Sequence, residues 1–516
     1  MAQQVTYTST DLGSEELDTA YDRAIEDARR SFPRRVRGDI ASQAPPVVRV
    51  TDDLYPGDTD VVVAEVEETS PDQLDRAVAA ARRSFEAWGR TPWPERVAAL
   101  LRVADRIEGD RLALAAAMAW ETGKVRVEAV GEVDEAVELI RYYARCVEAA
   151  DGFAVPMGTA EERAESVLRP WGVWGVISPF NFPLALATGM VAGALLGGNT
   201  VVFKPATEAA LTGSLLHGHL KAELPPDVVQ LVLGGGEEIG AAMVGRPDLD
   251  GFAFTGSREV GLSSIAGFAA TRPRPFVAEM GGKNAVIVAA SADLDDATSG
   301  IVRSAFSFSG QKCSATSRVY VDRSRHDELL DRLRAATASI VVDEPHRRET
   351  FVGPVIDERA RGRFMTAVQE AGRSGRIVAG GGLPGDERLA RGHYVEPTVV
   401  TDLPLDHPHF REELFMPYVT VAPVTSLDEA LREANAVPFG LTAGIFTEDP
   451  AESERFLEEI QAGTVYVNRA RGATSGAWPG VQPFGGWKDS GSTGRHALGP
   501  RYVEQFMREQ SRTVAR

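Results

Sequence analysis

The feature that most constrains this chain is a run without a charged side chain, residues 171–203. It is long enough to span a bilayer. Its punctuation argues against that reading. Pro179, Pro183, Asn181, Asn199 and six glycines interrupt it. Such residues mark element boundaries, so the run divides into a buried strand, a tight loop, a buried helix and a second buried strand, as in an α/β core.

The flanking sequence extends that pattern. Upstream, residues 72–88 carry Leu74, Val78, Ala81 and Phe85 at helical spacing, with Pro71 near the start. Helical patterns continue at 94–107, 111–122 and 125–149. Downstream, VVQLVLGGG and GFAFTGS read as strands entering glycine turns, and PFVAEMGGKNAVIVAA as two strand-like runs around a glycine pair. A second α/β region follows, with SRVYVD, VTVAPV and TVYVN as strands. The alternation of short apolar runs and helices is that of a doubly wound fold. The tail from Arg501 alternates like an edge strand. Residues 1–45 are polar and are expected to wrap the surface.

The chain has 516 residues, 43% of them hydrophobic, enough for more than one core. Its net charge of −19 argues against nucleic-acid binding. The only cysteines are Cys146 and Cys313. That excludes a disulfide scaffold, and no Cys/His cluster suggests a metal. Two thiols fit a reducing compartment. Asp11, Glu15, Glu16 and Asp18 precede any apolar run, so no leader is read. The expectation is a cytoplasmic protein with no membrane partner.

Four features can carry chemistry, and each also has a structural reading. Cys313, in FSFSGQKCSATSR, is either a buried small hydrophobe or a nucleophile. A helix opening at its turn, together with Lys312, would favour the thiolate. Cys146 lies at helical spacing and reads as structural. Glu279, before Gly281 and Gly282, is either a salt-bridged strand end or a partly buried general base. Asn181, held between two aromatics and two prolines, either stabilises its own loop or donates to an oxyanion. The turns at Gly234–Gly236 and Gly256–Ser257 follow strands and could admit a pyrophosphate, although the order GGGEEIG is not GxGxxG.

Six segments occur in order: SPFNFP, VFKPA, FTGS, EMGGKN, GQKCSA and EELFMP. Together they resemble the aldehyde dehydrogenase superfamily over about residues 40–510. The resemblance implies an α/β fold with a Rossmann-like cofactor domain, an α/β catalytic domain and a small β oligomerisation arm. It makes Cys313 the nucleophile, Asn181 an oxyanion donor and Glu279 the base for thioester hydrolysis. It implies NAD, with NADP possible. Ser178, Phe180, Lys204, Thr207, Gly236, Gly256, Ser257, Glu413 and Phe415 are the implied cofactor residues. Relatives that prefer NAD often carry Glu where this chain has Thr207, which implies measurable NADP use if the adjacent Glu208 points elsewhere. Met416 stands where the usual motif has Gly.

GQKCSATSR, NRARGATSGAWPGVQPFGG and AVELIRYYA look like the 1-pyrroline-5-carboxylate dehydrogenases. Those enzymes oxidise L-glutamate γ-semialdehyde to glutamate in proline and arginine breakdown. The match implies that Ser314, Gly476 and Ala477 hold the substrate carboxylate, and that Phe182 and Phe484 flank its carbon chain. The segment before Gly476 is a few residues longer than usual, so another semialdehyde or an aminoaldehyde is the alternative substrate. A non-catalytic relative would be expected to lose Cys313 or Glu279, and a cysteine hydrolase would not need Lys204 or Glu413. The expected organisation is a surface segment at 1–45 and a cofactor domain at 46–280, with an oligomerisation hairpin near 150–170. A catalytic domain at 281–470 follows, then an anchor loop and oligomerisation strand at 471–516. A homodimer or higher homo-oligomer is expected.

Overall fold

The computed structural model of the chain describes residues 5–471 and 475–515. Residues 5–12, expected along the surface, send Val5 and Leu12 inward, each 1% exposed. Helix α1 (Glu15–Arg30) is capped by Ser14 and buries Tyr21 and Ile25. Strands β1 (Arg34–Arg37), β2 (Arg49–Leu54) and β3 (Val62–Glu68) form a small sheet with β3 in the middle. Four helices follow: α2 (Pro71–Trp88), α3 (Trp93–Gly109), α4 (Arg111–Thr122) and α5 (Arg126–Ala149). Each lies within two residues of the span that its periodicity predicts. Helix α2 starts where it does because Ser70 and Gln73 form a reciprocal capping box and Pro71 stands in its first turn. A hairpin of β4 (Ala154–Gly158) and β5 (Glu162–Pro170) comes next.

The uncharged run folds as its punctuation implies. It forms β6 (Val173–Ile177), the SPFNFP turn, α6 (Ala185–Leu196) and β7 (Thr200–Lys204). All of α6 except Leu186 is buried, which is why no polar face appears in its sequence. The chain continues through α7 (Ala210–Glu223), β8 (Val229–Leu231), α8 (Ala241–Val244), β9 (Gly251–Thr255), α9 (Arg258–Ala269) and β10 (Phe276–Glu279). The five strands are parallel, in the order β10-β9-β6-β7-β8. The chain runs outward from β6 to β8, then returns to the other side at β9. Strand order therefore reverses between β6 and β9, and a ligand crevice forms outside their carboxyl ends.

Residues 280–283 carry the chain from the end of β10 into a second sheet. Its strands are β11 (Asn284–Val288), β12 (Thr316–Asp322), β13 (Arg376–Ala379), β14 (Thr398–Thr401) and β15 (Tyr418–Val424), then β17 (Thr442–Phe446) and β18 (Thr464–Val467). The order is β13-β14-β15-β12-β11-β17-β18, parallel except for β13. Helix α10 (Leu294–Phe306) joins β11 to the segment that holds Cys313. The short β16 (Phe439–Gly440) pairs with β19 (Trp487–Lys488). The tail forms β20 (Met507–Ala515), antiparallel to β5, and completes a three-stranded β20-β5-β4 sheet. Among the described residues, no helix is long and apolar enough to cross a membrane.

Candidate active site

Cys313 sits in a strained turn, not at the start of a helix. Phe308, Ser309 and Gly310 have φ of 48°, 56° and 66°, and β12 follows at Thr316. A non-glycine residue in this region costs about 1–3 kcal/mol and persists only when its surroundings impose it. Here Phe308 and Ser309 are fully buried, and Ser309 Oγ donates to the Gly353 carbonyl at 2.8 Å. Gly310 packs on the Met416 carbonyl, 2.2 Å from where a β-carbon would stand. Met416 is itself buried.

The glycine pair of EMGGKN is explained by two close approaches. A β-carbon on Gly282 would lie 2.4 Å from the Cys313 carbonyl oxygen, and one on Gly281 would lie 2.0 Å from the Glu413 carboxylate. Asn284, at the start of β11, clamps the same turn. Its Nδ2 donates to the carbonyls of Cys313 and Ala315, both at 2.8 Å. The motif carries no local signal for this clamping role of Asn284.

The local electrostatics differ from the sequence expectation. Burial drives the Cys313 thiol up to about 12, and the carboxylates of Glu413 and Glu279 push the same way. The N–H groups of Ser314 and Cys313 act against them. No helix follows to lower the value. Lys312 does not help either: its ammonium is turned to Glu128 (2.7 Å) and Ser307 Oγ (3.1 Å). A buried ammonium needs a carboxylate partner, and that requirement wins over the thiol.

Glu279 ends β10 and accepts from the Gly486 N–H at 3.1 Å. Burial raises its carboxyl well above the usual range, opposed by that one hydrogen bond. Asn181 is buried, and its Nδ2 donates to the Gln311 carbonyl at 3.0 Å, two residues before Cys313. An amide nitrogen carries a second N–H, so one donor remains for an oxyanion. The Asn181 turn is held from beneath by Lys124, which donates to the Asn181 carbonyl at 2.6 Å and pairs with Glu132. Glu132 also accepts from the N–H groups of Leu184 and Ala185, at 2.8 and 3.1 Å. Sequence reading missed this fully buried pair. The available signal was an acidic row, Glu128, Glu132 and Glu135, on a helix otherwise rich in apolar residues.

A cavity of about 480 Å³ opens beside Cys313 and Glu279. Phe182, Ser314, Gly476, Ala477 and Phe484 all line it, so the five implied substrate residues are brought together. The Ala477 N–H donates to Ser475 Oγ at 3.1 Å, so this expected anchor donor is shared. Residues 472–474 of the longer anchor segment lie outside the described residues. Cys146 lies on α5 and does not line the cavity.

The implied cofactor residues gather at the carboxyl ends of the first sheet. Ser178 and Phe180 follow β6, Lys204 ends β7, Gly236 follows β8, and Gly256 and Ser257 follow β9. Ser257 caps α9. Two observations fit a dinucleotide here. Ser178 Oγ is buried without a hydrogen-bond partner. Gly235 and Gly236 have open space where a side chain would stand. Across the crevice, Glu413 accepts from the Gly282 N–H at 2.9 Å, and burial raises its carboxyl to about 7. Phe415 meets Phe180 edge-on, ring centres 6.0 Å apart.

Lys204 is buried and donates to the carbonyls of Pro205 and Gly234, at 2.9 and 2.8 Å. Burial pulls it down to about 8, while Glu208 and Glu68 act in the opposite direction. Glu208 acts on Lys204 electrostatically. With Glu68 it places negative charge around Lys204 that Thr207, in the turn before α7, does not supply.

A profile of the aldehyde dehydrogenase family matches residues 47–512. The chain is 35% identical to a 1-pyrroline-5-carboxylate dehydrogenase from Bacillus licheniformis, over 98% of each chain. Among solved structures, a Thermus 1-pyrroline-5-carboxylate dehydrogenase with bound NAD superposes with a TM-score of 0.92 and 32% identity, covering 98% of this chain and 97% of that one. Proline utilization A from Bdellovibrio bacteriovorus gives a TM-score of 0.93 and 34% identity; 98% of this chain aligns, spanning 52% of the longer protein. With the fold, the strained cysteine turn and the switch-point crevice in agreement, the chain belongs to the aldehyde dehydrogenase family.

Proposed function

We propose that this protein oxidises L-glutamate γ-semialdehyde, the open form of 1-pyrroline-5-carboxylate, to L-glutamate with NAD. The observation that carries this reading is one cavity joining Cys313 and Glu279 to Ser314, Gly476, Phe182 and Phe484. The named relatives and the NAD-bound structure support the same substrate and cofactor.

The Cys313 sulfur attacks the aldehyde carbon, and its proton leaves to solvent. Asn181 and the Cys313 N–H hold the oxyanion of the thiohemiacetal. Bound NAD supplies the hydride acceptor at this step. Ser178, Phe180, Lys204, Thr207, Gly236, Gly256, Ser257, Glu413 and Phe415 would hold it. The resulting thioester is opened by water, whose proton goes to Glu279, where the raised proton affinity suits the transfer; glutamate leaves, and Glu279 returns the proton to the Cys313 sulfur. Ser314 and the Gly476–Ala477 backbone hold the substrate carboxylate, with Phe182 and Phe484 along its chain. Val155, Met157 and Val514, exposed on the β20-β5-β4 sheet, support a homo-oligomer built through that arm.

The test is NADH and NADPH formation across a panel of aldehydes. Glutamate γ-semialdehyde should exceed unsubstituted aldehydes of similar length, and Cys313→Ala should have no turnover. Glu279→Gln should release about one equivalent of NADH in a burst and then stall at thioester hydrolysis. Preference for unsubstituted aldehydes would refute the substrate; full turnover by Cys313→Ala would refute the nucleophile.

A further inference from the structure

The aldehyde cavity has a wall that lies outside the family-matched residues 47–512. Thr6, Tyr7 and Thr8 line it together with Cys313 and Phe182. This segment is fastened at several points. Val5 and Leu12 are buried on either side of it. The Val5 N–H donates to the Asp134 carboxylate at 2.6 Å, and Asp134 is itself held by Arg111. Residues 6–9 close a turn, in which the Ser9 N–H donates to the Thr6 carbonyl at 2.9 Å. Arg303 donates to the Ser9 carbonyl at 3.3 Å.

Tyr7 is the large side chain this segment delivers. Its hydroxyl donates to the Glu135 carboxylate. Its ring meets Phe182 edge-on at 5.7 Å and Trp478 at 6.1 Å. The Lys312 ammonium lies 5.4 Å from the ring centre. Tyr7 therefore joins the turn that carries Asn181 to the segment that carries Gly476 and Ala477. A rigid aromatic ring pinned at both its edge and its hydroxyl leaves little room for a longer chain.

We infer that Tyr7 is a specificity-determining residue, and that the chain's own N-terminal segment sets the length of aldehyde the cavity accepts. This rests on the reading of the cavity as the aldehyde site, but not on glutamate γ-semialdehyde as the substrate. The test is therefore a series of unsubstituted straight-chain aldehydes, propanal to octanal, with kcat/KM measured for wild type, Tyr7→Phe, Tyr7→Ala and Tyr7→Trp.

Tyr7→Ala should raise kcat/KM for octanal relative to propanal by about tenfold, the low end of what added room for methylenes yields. Tyr7→Trp should shift the optimum toward shorter chains. Tyr7→Phe keeps the ring and should keep the wild-type ranking. A merely structural role would lower every substrate alike. If Tyr7→Ala does not fold, the shift in Tyr7→Trp decides. Profiles in Tyr7→Ala and Tyr7→Trp that superpose on wild type after scaling overturn the inference. A wild type that oxidises no aldehyde of the series and no glutamate γ-semialdehyde overturns the functional reading and this inference with it.

Discussion

Four lysines are buried, and they divide by what their ammonium groups meet. Toward the aldehyde cavity, Lys124 ends on Glu132 and Lys312 on Glu128. At the cofactor crevice, Lys204 ends only on backbone carbonyls; Lys283, on the link into β11, has no hydrogen-bond partner at Nζ. Burial pulls Lys204 down to about 8 and Lys283 to about 7. The paired ammonium groups are scaffold: each fixes a turn beside Cys313. An ammonium buried without a carboxylate in salt-bridge contact costs stability, and a fold tolerates it where a site uses the charge.

The comparison breaks most visibly at Lys124. Lys124→Met leaves Glu132 buried and unpaired under the Asn181 turn, and should destabilise the protein by about 3–5 kcal/mol. Urea unfolding would show this as a lower midpoint with an unchanged slope. On the crevice side, Lys204→Met should change stability by less than about 1 kcal/mol while weakening NAD binding by about 10–100-fold, the worth of one charged hydrogen bond. Calorimetric titration with NAD measures that loss. Equal destabilisation by the two substitutions would erase the distinction between the sides.

Smaller effects sharpen it. A carboxylate near the adenosine ribose repels a 2′-phosphate. Glu208→Gln should therefore raise the NADP/NAD ratio of kcat/KM by about tenfold, or ~1.4 kcal/mol. No change would return the discrimination to Glu68 or to neither.

Glu135 gives an effect in stability against pH. Its neighbours are Tyr7, Glu132, Lys124 and Lys312, and burial raises its carboxyl from 4.5 to about 7. A raised carboxyl binds its proton more tightly when folded. Its contribution is therefore complete below pH 4.5 and lost as pH rises through about 7. Glu135→Gln should remove up to about 3 kcal/mol of the fall in stability between pH 5 and 8. Thermal unfolding across that range measures it; parallel curves would mean Glu135 titrates normally.

Much of the fold was legible because its signals are local. The uncharged run separates into strand, turn, helix and strand at its own prolines and glycines, and four helices lie where their periodicity puts them. The cysteine turn was less legible. FSFSGQKC contains nothing that forces Phe308 and Ser309 into left-handed backbone; burial against Gly353 and Met416 does so. The orientation of Lys312 was misread for a related reason. Adjacency in sequence suggested help for Cys313, but the ammonium follows the nearest carboxylate in space, Glu128 on α5.

By itself the sequence determined the element order, the parallel α/β architecture and the residue types of the proposed chemistry: a thiol, a carboxyl and an amide donor on three separate segments. Those follow from periodicity, turn residues and motifs, each written within a few neighbouring positions. Only the tertiary structure decided what each group meets: Asn284 clamping Cys313, Lys124 and Glu132 beneath Asn181, Glu68 and Glu208 around Lys204, and Tyr7 in the cavity wall. Apart from Lys124–Glu132 and Lys204–Glu208, these contacts join positions tens to hundreds of residues apart, and burial sets their strength. Neither distance in space nor dielectric surroundings is encoded in any short stretch of the chain.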